Sequence, residues 1–139
     1  AILSLIEKQK LVAEGAGATA VAAAMFGKLP VKGKKVVCVV SGGNVDVNML
    51  NRIINRGLAK NGRVCQIELE LLDKPGALSA VLKIVAEEGA NILAVNHERV
   101  NAATEINSCL LHLELETLNS EHVEHLRQTL ASRGYKLIS

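Results

Sequence analysis

The segment between an alternating apolar strand and an amphipathic helix contains the residues best suited to bind a small ligand. Asp73, Pro75 and Gly76 stand where the strand ends, and Ala77 and Leu78 open the helix. The first amides of a helix have no partner inside the helix and attract anions. The amides of Gly76, Ala77 and Leu78 are therefore suited to holding the carboxylate of an amino acid.

An amino acid at this turn also needs a partner for its ammonium group. The carboxylate of Asp73, or the side-chain amide of Asn91 beyond the helix, could supply it. A turn that only caps the helix, without a ligand, explains the same residues equally well.

The four histidines do not predict a metal site. His122 and His125 lie three apart on a predicted helix, but the sequence offers no third ligand. His97 and His112 are predicted on the polar side of their strands. We interpret all four as surface residues.

The composition is that of a soluble globular protein. The chain has 139 residues, 49% hydrophobic and 22% charged, with a formal net charge of +2. The charges form no block, and Phe26 and Tyr135 are the only aromatic residues. We therefore expect no nucleic acid and no membrane as partners, and no apolar stretch is long enough for a membrane span.

The cysteines indicate a reducing compartment. Cys38, Cys65 and Cys109 are odd in number and widely spaced, and each lies in an apolar run. This pattern is typical of core thiols in a cytoplasmic protein.

The second half of the sequence predicts a βαββαβ order. Apolar residues alternate from Cys65 to Leu71 and from Cys109 to Leu115, as in half-buried strands. The other predicted elements are a helix over 78–89, a strand over 92–98, a turn over 101–104, a helix from Asn119 or Ser120 to Gly134, and a strand over 135–138. This order predicts a ferredoxin-like α+β fold with two helices on one face of an antiparallel sheet.

The first half predicts helices around one isolated strand. Residues 1–27 predict two helices, the second over 17–25, and Lys35 to Val40 form a continuous apolar run typical of a parallel strand buried on both faces. No neighbouring strand is predicted before residue 63. We therefore expect the first half to dock onto a sheet supplied by sequence outside this chain.

A helix over residues 47–58 and a linker over residues 57–63 complete the first half. The predicted domains are thus residues 1–62, an α/β fragment, and residues 63–139.

Two segments of the second half resemble the ACT domain family: Leu71-Leu72-Asp73-Lys74-Pro75-Gly76-Ala77-Leu78 and Glu87-Glu88-Gly89-Ala90-Asn91-Ile92. The similarity extends from Val64 to Ser139. ACT domains associate in pairs and bind an amino acid between the turn of one copy and the second strand of the other. The resemblance implies a homo-oligomer and an effector site formed by Asp73, Pro75, Gly76, Ala77, Leu78, Asn91 and Ile92.

The first half resembles the C-terminal end of the catalytic domain of threonine ammonia-lyase, a fold-type-II pyridoxal-phosphate enzyme. The similarity rests on Val12 to Ala18 and Val39 to Asp46, taken together with the ACT-like domain. It implies that the Ser41 hydroxyl bonds the pyridine nitrogen of the cofactor and that Gly42 and Glu14 lie nearby. A helix-capping Ser41 and a solvent-facing Glu14 are the simpler interpretations.

The resemblance also implies which functions this chain lacks. The Schiff-base lysine and the glycine-rich phosphate loop of that family precede the similar region, and no lysine here stands in a matching motif. We predict no catalytic residue and no bound cofactor in the chain alone, with pyridoxal phosphate in the intact parent. The implied effector is isoleucine or valine.

Two other interpretations remain. The chain could be a free-standing ACT-type amino-acid-binding or oligomerisation module, with residues 1–62 forming a helical layer of their own. It could also be the tail of a serine dehydratase or racemase.

Overall fold

The computed structural model describes residues 1–99 and 107–138 and divides into two compact units, Ala1–Gly57 and Leu58–Ser139. The predicted turn over residues 101–104 lies outside the described residues. Within the described part of the chain, no helix is long and apolar enough to cross a membrane.

The first unit contains α1 (Ile2–Ser4), continued by a π-helical turn over Leu5–Gln9, and α2 (Thr19–Met25). It also contains most of α3 (Val47–Lys60), whose last three residues belong to the second unit. The prediction that a linker begins at Gly57 is wrong, because α3 continues to Lys60. A Cβ at Gly57 would lie 2.7 Å from Cδ2 of Leu3. Glycine at this position permits close packing of α3 and does not end the helix.

The predicted strand from Lys35 to Val40 is not formed. Val37 is 93% exposed and Val39 is 76% exposed. Within the described residues, every sheet strand lies between residues 64 and 137, so this run has no strand partner there. A strand without hydrogen-bonded neighbours is unstable in water. Burial of this run on both faces, expected against a sheet outside this chain, stays a prediction.

The second unit has the predicted ferredoxin-like fold. Its elements are β1 (Val64–Leu72), α4 (Ala77–Glu87), β2 (Asn91–Glu98), β3 (Ser108–Glu116), α5 (Ser120–Ser132) and β4 (Lys136–Leu137). They form an antiparallel sheet in the order β2-β3-β1-β4. Because β1 and β2 are both antiparallel to β3, they run in the same direction, and their C-terminal ends lie at the same end of the sheet.

One face of the sheet is buried against the helices. Cys109, Leu111, Leu113 and Leu115 point inward as predicted, and each is at most 1% exposed. The same core contains Ile67 and Leu69 of β1, Val81 and Val85 of α4, and Leu126 and Leu130 of α5. Each such side chain contributes about 1.5–3 kcal/mol. If a strand shifted by one residue relative to its neighbour, its polar residues would face the core, so burial of the apolar residues also fixes the strand register.

The start of α5 confirms the predicted cap. The Oδ1 atom of Asn119 accepts a hydrogen bond from the His122 amide at 2.9 Å. The ring of His122 is not simply solvated, because its Nδ1 accepts from the Leu118 amide at 3.1 Å and its Nε2 lies 2.9 Å from the Glu88 carbonyl oxygen. His125 Nε2 lies 3.0 Å from the Glu88 carboxylate. Both histidines thus link the start of α5 to the end of α4.

Candidate functional site

The turn between β1 and α4 presents an uncapped helix N-terminus. Gly76 is the N-cap of α4, with φ 84, and it has no side chain to accept a bond from the first turn. No acidic residue lies in that turn to offset its partial positive charge. The Ala77 amide donates to the Lys74 carbonyl at 3.2 Å. Of the three amides predicted to bind a carboxylate, that of Ala77 therefore already has a partner.

A cavity of about 290 Å³ lies beside this turn. Asp73, Pro75, Gly76, Ala77 and Leu78 all line it, so the structure brings five of the seven predicted effector residues together. This volume is at the lower end of the range of about 300–1,000 Å³ for small-molecule sites. The cavity is therefore of a size for a small ligand.

The cavity also contains two residues that sequence reasoning missed, His97 and Arg99. The Nε atom of Arg99 lies 3.2 Å from Oδ1 and 3.1 Å from Oδ2 of Asp73. The two side chains are 65% and 38% exposed, so this ion pair contributes only about 0–1 kcal/mol. The predicted topology could have indicated Arg99, because the ferredoxin-like fold places the C-terminal ends of β1 and β2 at the same end of the sheet.

The prediction for His97 is wrong because β2 contains a register irregularity. A shift between Ile92 and Ala94 changes the alternation, and His97 then pairs with the inward-facing Leu111. Its Nε2 lies 2.8 Å from Sγ of Cys109. A bulge of this kind re-aims the side chains that follow it.

Cys109 links His97 to the end of β1. It is fully buried, and its Sγ donates to the Leu71 carbonyl at 3.2 Å. With the thiol proton on that bond, the His97 Nε2 must carry a hydrogen to bond the sulfur. Burial, and secondarily the negative charge of Asp73, raises the pKa of the Cys109 thiol, although Arg99 opposes the shift. Cys38 and Cys65 are only half-buried, so the core-thiol prediction fits Cys109 best.

Asp73, His97 and Cys109 place potential metal-ligand atoms within 4.8 Å of one another. Zinc sites use these donor types. Here, however, Arg99 holds the Asp73 carboxylate and the raised thiol pKa keeps Cys109 protonated near neutral pH. A metal would have to displace Arg99 and remove the thiol proton.

Asn91 and Ile92 lie at the opposite end of β2 from the turn. The Nδ2 atom of Asn91 donates to Oε2 of Glu116 at 3.3 Å. Seven residues separate Asn91 from the end of β2 at Glu98, which corresponds to about 23 Å along a strand. Within one chain, the structure does not bring Asn91 or Ile92 to Asp73.

A second cavity, of about 540 Å³, also borders the turn. The two cavities share six residues, and Arg133 and Tyr135 line only the larger one. The shared residues are Leu71, Leu72, Lys74, Pro75, Gly76 and Ala77. Asp73 and Leu78 line only the smaller cavity. The smaller cavity is therefore the one that all five of these effector residues line, and Asp73 and Leu78 distinguish it from the larger one.

In the first unit, the three predicted cofactor residues lie together. The Glu14 amide donates to the Gly42 carbonyl at 3.0 Å, and a Cβ on Gly42, which has φ 73, would lie 2.5 Å from Cδ of Glu14. A Cβ on Gly17 would lie 1.5 Å from the Ser41 carbonyl oxygen. Only glycine fits at Gly17, where a Cβ would overlap the Ser41 backbone, and the left-handed φ favours glycine at Gly42. Ser41 is exposed and Glu14 is half-buried.

Comparison with known proteins agrees with this architecture. The ACT domain family matches residues 66–111. This segment is similar to the ACT domain family. It includes the turn, α4 and β2, and hence all seven predicted effector residues.

The whole chain resembles part of a longer enzyme. It is 53% identical over 137 residues to the L-threonine ammonia-lyase of Thermotoga maritima, covering 99% of this chain and 34% of that protein. It is 38% identical over 135 residues to the L-threonine ammonia-lyase of Geobacter sulfurreducens, again covering 34% of that protein. The L-threonine dehydratase biosynthetic IlvA of Lactococcus lactis is 43% identical over 77 residues. The chain thus spans about a third of the length of the first two relatives, and the resemblance to threonine ammonia-lyase is confirmed.

Proposed function

We propose that this chain is the regulatory C-terminal part of a pyridoxal-phosphate-dependent threonine ammonia-lyase and that its ACT domain binds a branched-chain amino-acid effector, isoleucine or valine. The intact enzyme converts L-threonine to 2-oxobutanoate and ammonia. Similarity to L-threonine ammonia-lyases over 97–99% of the chain supports the parent activity. Effector binding then shifts the activity of the parent through a coupling free energy between the two sites.

The observation that supports an effector site most directly is the cavity at the turn. Its lining combines the helix N-terminus of α4 with the Asp73 carboxylate, which are complementary to the carboxylate and ammonium groups of an amino acid. The amides of Gly76 and Leu78 receive the carboxylate and Asp73 receives the ammonium group. Leu78 and Pro75 provide apolar contact for an aliphatic side chain.

A second copy of the chain completes the site. β2 is at one edge of the sheet and can pair with another strand. If the β2 strands of two copies pair antiparallel about their middle, Asn91 and Ile92 of one copy come to the end of β2 beside the turn of the other. This arrangement gives Asn91 and Ile92 the role that a single chain cannot give them.

The first unit supplies only one side of a cofactor site. An exposed hydroxyl at Ser41, held by the tight approach of Gly42 to Glu14, suits the pyridine edge of pyridoxal phosphate. When bound, that cofactor acts as an electron sink for elimination. Ser41 donates a neutral hydrogen bond and therefore does not enforce a protonated ring nitrogen as a carboxylate would.

Titration calorimetry of the chain with isoleucine, valine, threonine and serine tests the proposed effector site. We expect saturable binding of isoleucine or valine and at least tenfold weaker binding by Asp73→Ala, since hydrogen bonds to charged groups contribute about 1.5–3 kcal/mol. Absence of binding by all four amino acids to the folded chain would contradict the proposal. Comparable turnover of threonine and serine by the intact enzyme would instead favour a serine dehydratase.

A further inference from the structure

We propose that Arg99 and Asp73 together recognise both charged groups of a free α-amino acid, and that effector binding replaces their mutual ion pair with two ion pairs to the ligand. Arg99 receives the carboxylate together with the amides of α4, and Asp73 receives the ammonium group. This inference rests on the proposed effector site and adds Arg99 to it, as the residue that makes the site require both charged groups of the ligand.

The first support is position. Arg99 directly follows β2 and Asp73 directly follows β1, and the parallel direction of these strands brings both side chains to one cavity. Arg99 contacts both oxygens of Asp73, at 3.2 and 3.1 Å. Opposite charges thus line the same small cavity beside the uncapped N-terminus of α4.

The second support is that the Arg99–Asp73 ion pair can open at little energetic cost. The Arg99 and Asp73 side chains are 65% and 38% exposed, so their attraction is screened and opening them costs little. A zwitterion inserted between them leaves neither charge unpaired. A carboxylic acid without an ammonium group would bind Arg99 and leave the Asp73 carboxylate without a partner. An amine without a carboxylate would bind Asp73 and leave the Arg99 guanidinium without a partner.

The third support is the arrangement of hydrogen-bond donors. A planar guanidinium can bind a carboxylate through two parallel bonds, which fixes its orientation relative to the α4 amides. The ligand class is therefore a small α-amino acid with both termini free. Oxo acids, N-acylated amino acids and amino-acid amides are excluded by the same charge argument.

The test compares L-isoleucine with its two single-charge analogues, 3-methyl-2-oxopentanoate and 2-methylbutylamine, by calorimetry on the full chain. We expect each analogue to bind at least tenfold more weakly than isoleucine. Arg99→Met should weaken isoleucine binding by about 10- to 100-fold. Arg99→Lys should weaken it by an intermediate factor, because lysine keeps the positive charge but lacks the two parallel N–H donors of the guanidinium.

Arg133→Met is the matched control, since Arg133 lines the larger cavity on the other side of the turn. It should bind isoleucine within twofold of the unsubstituted chain, and circular dichroism should show that all variants are folded. If Arg99→Met and Arg99→Lys both bind isoleucine as tightly as the unsubstituted chain does, the inference is overturned and the effector site stands. Tight binding of the oxo acid, or selective loss in Arg133→Met, also overturns the inference. If the unsubstituted chain binds no amino acid, the effector site and this inference fail together.

Discussion

Replacement of Gly76 by alanine separates the stability of the turn from its ligand-binding role, because a matched glycine lies at the other end of the same helix. Gly76 precedes α4 with φ 84, and Gly89 follows it with φ 79. A Cβ at either position would meet no atom within 4 Å. The cost of alanine therefore comes from the left-handed backbone alone, about 1–2 kcal/mol at each site.

Urea denaturation of Gly76→Ala, Gly89→Ala and the double variant measures this cost. The 11 residues of α4, about 16 Å of helix, lie between the two sites together with Glu88, so the losses should add to about 2–4 kcal/mol. Calorimetry with isoleucine should then show weaker binding for Gly76→Ala only, because Gly76 lines the cavity and Gly89 does not. An unchanged stability of Gly76→Ala would contradict a cost from the left-handed backbone, and equal weakening of binding by both variants would contradict a specific role of Gly76 in the site.

Three further predictions concern the second unit. Leu113→Ala should lower the free energy of unfolding by about 2–5 kcal/mol because Leu113 is 1% exposed, whereas Leu118→Ala, at a residue 74% exposed, should change it by less than about 0.5 kcal/mol in urea denaturation. Asn119→Ala should cost about 0.5–2 kcal/mol through loss of the α5 cap, and Asn119→Ser should restore most of it; equal losses in both would contradict the capping role. Since the pKa of Cys109 is raised above its ordinary value of 9.0, the unfolded chain releases this proton first, so stability should fall as the pH rises above about 9. Cys109→Ala should reduce that fall, and an unchanged slope in pH-dependent unfolding would count against the buried thiol as its source.

The second unit was predictable because local pattern and tertiary burial agree there. Alternation from Cys109 to Leu115 defines β3, and Asn119 caps α5 as its side-chain chemistry predicts. The strand predicted from Lys35 to Val40 is not formed here, because its pattern predicts burial against strands that the described residues do not supply. A strand buried on both faces depends on neighbours, and within the described residues none lies beside it.

The candidate site was predictable in its local part only. Asp73 to Leu78 are contiguous, so turn chemistry sufficed to group them. Arg99 reaches the same cavity through the order of the strands, and His97 does so after a register shift that strict alternation does not anticipate. Asn91 was grouped with Asp73 from its side-chain chemistry and from the resemblance, and the length of β2 separates the two residues within one chain.

The most direct test of the account is a nuclear magnetic resonance titration of the ¹⁵N-labelled chain with L-isoleucine. The account predicts saturable shifts of the Asp73, Gly76 and Leu78 amides and of the Arg99 Nε–H, with little change at Arg133 and Gly134. Saturable shifts confined to the larger cavity, or no shifts at millimolar isoleucine, would contradict an effector site at the β1–α4 turn.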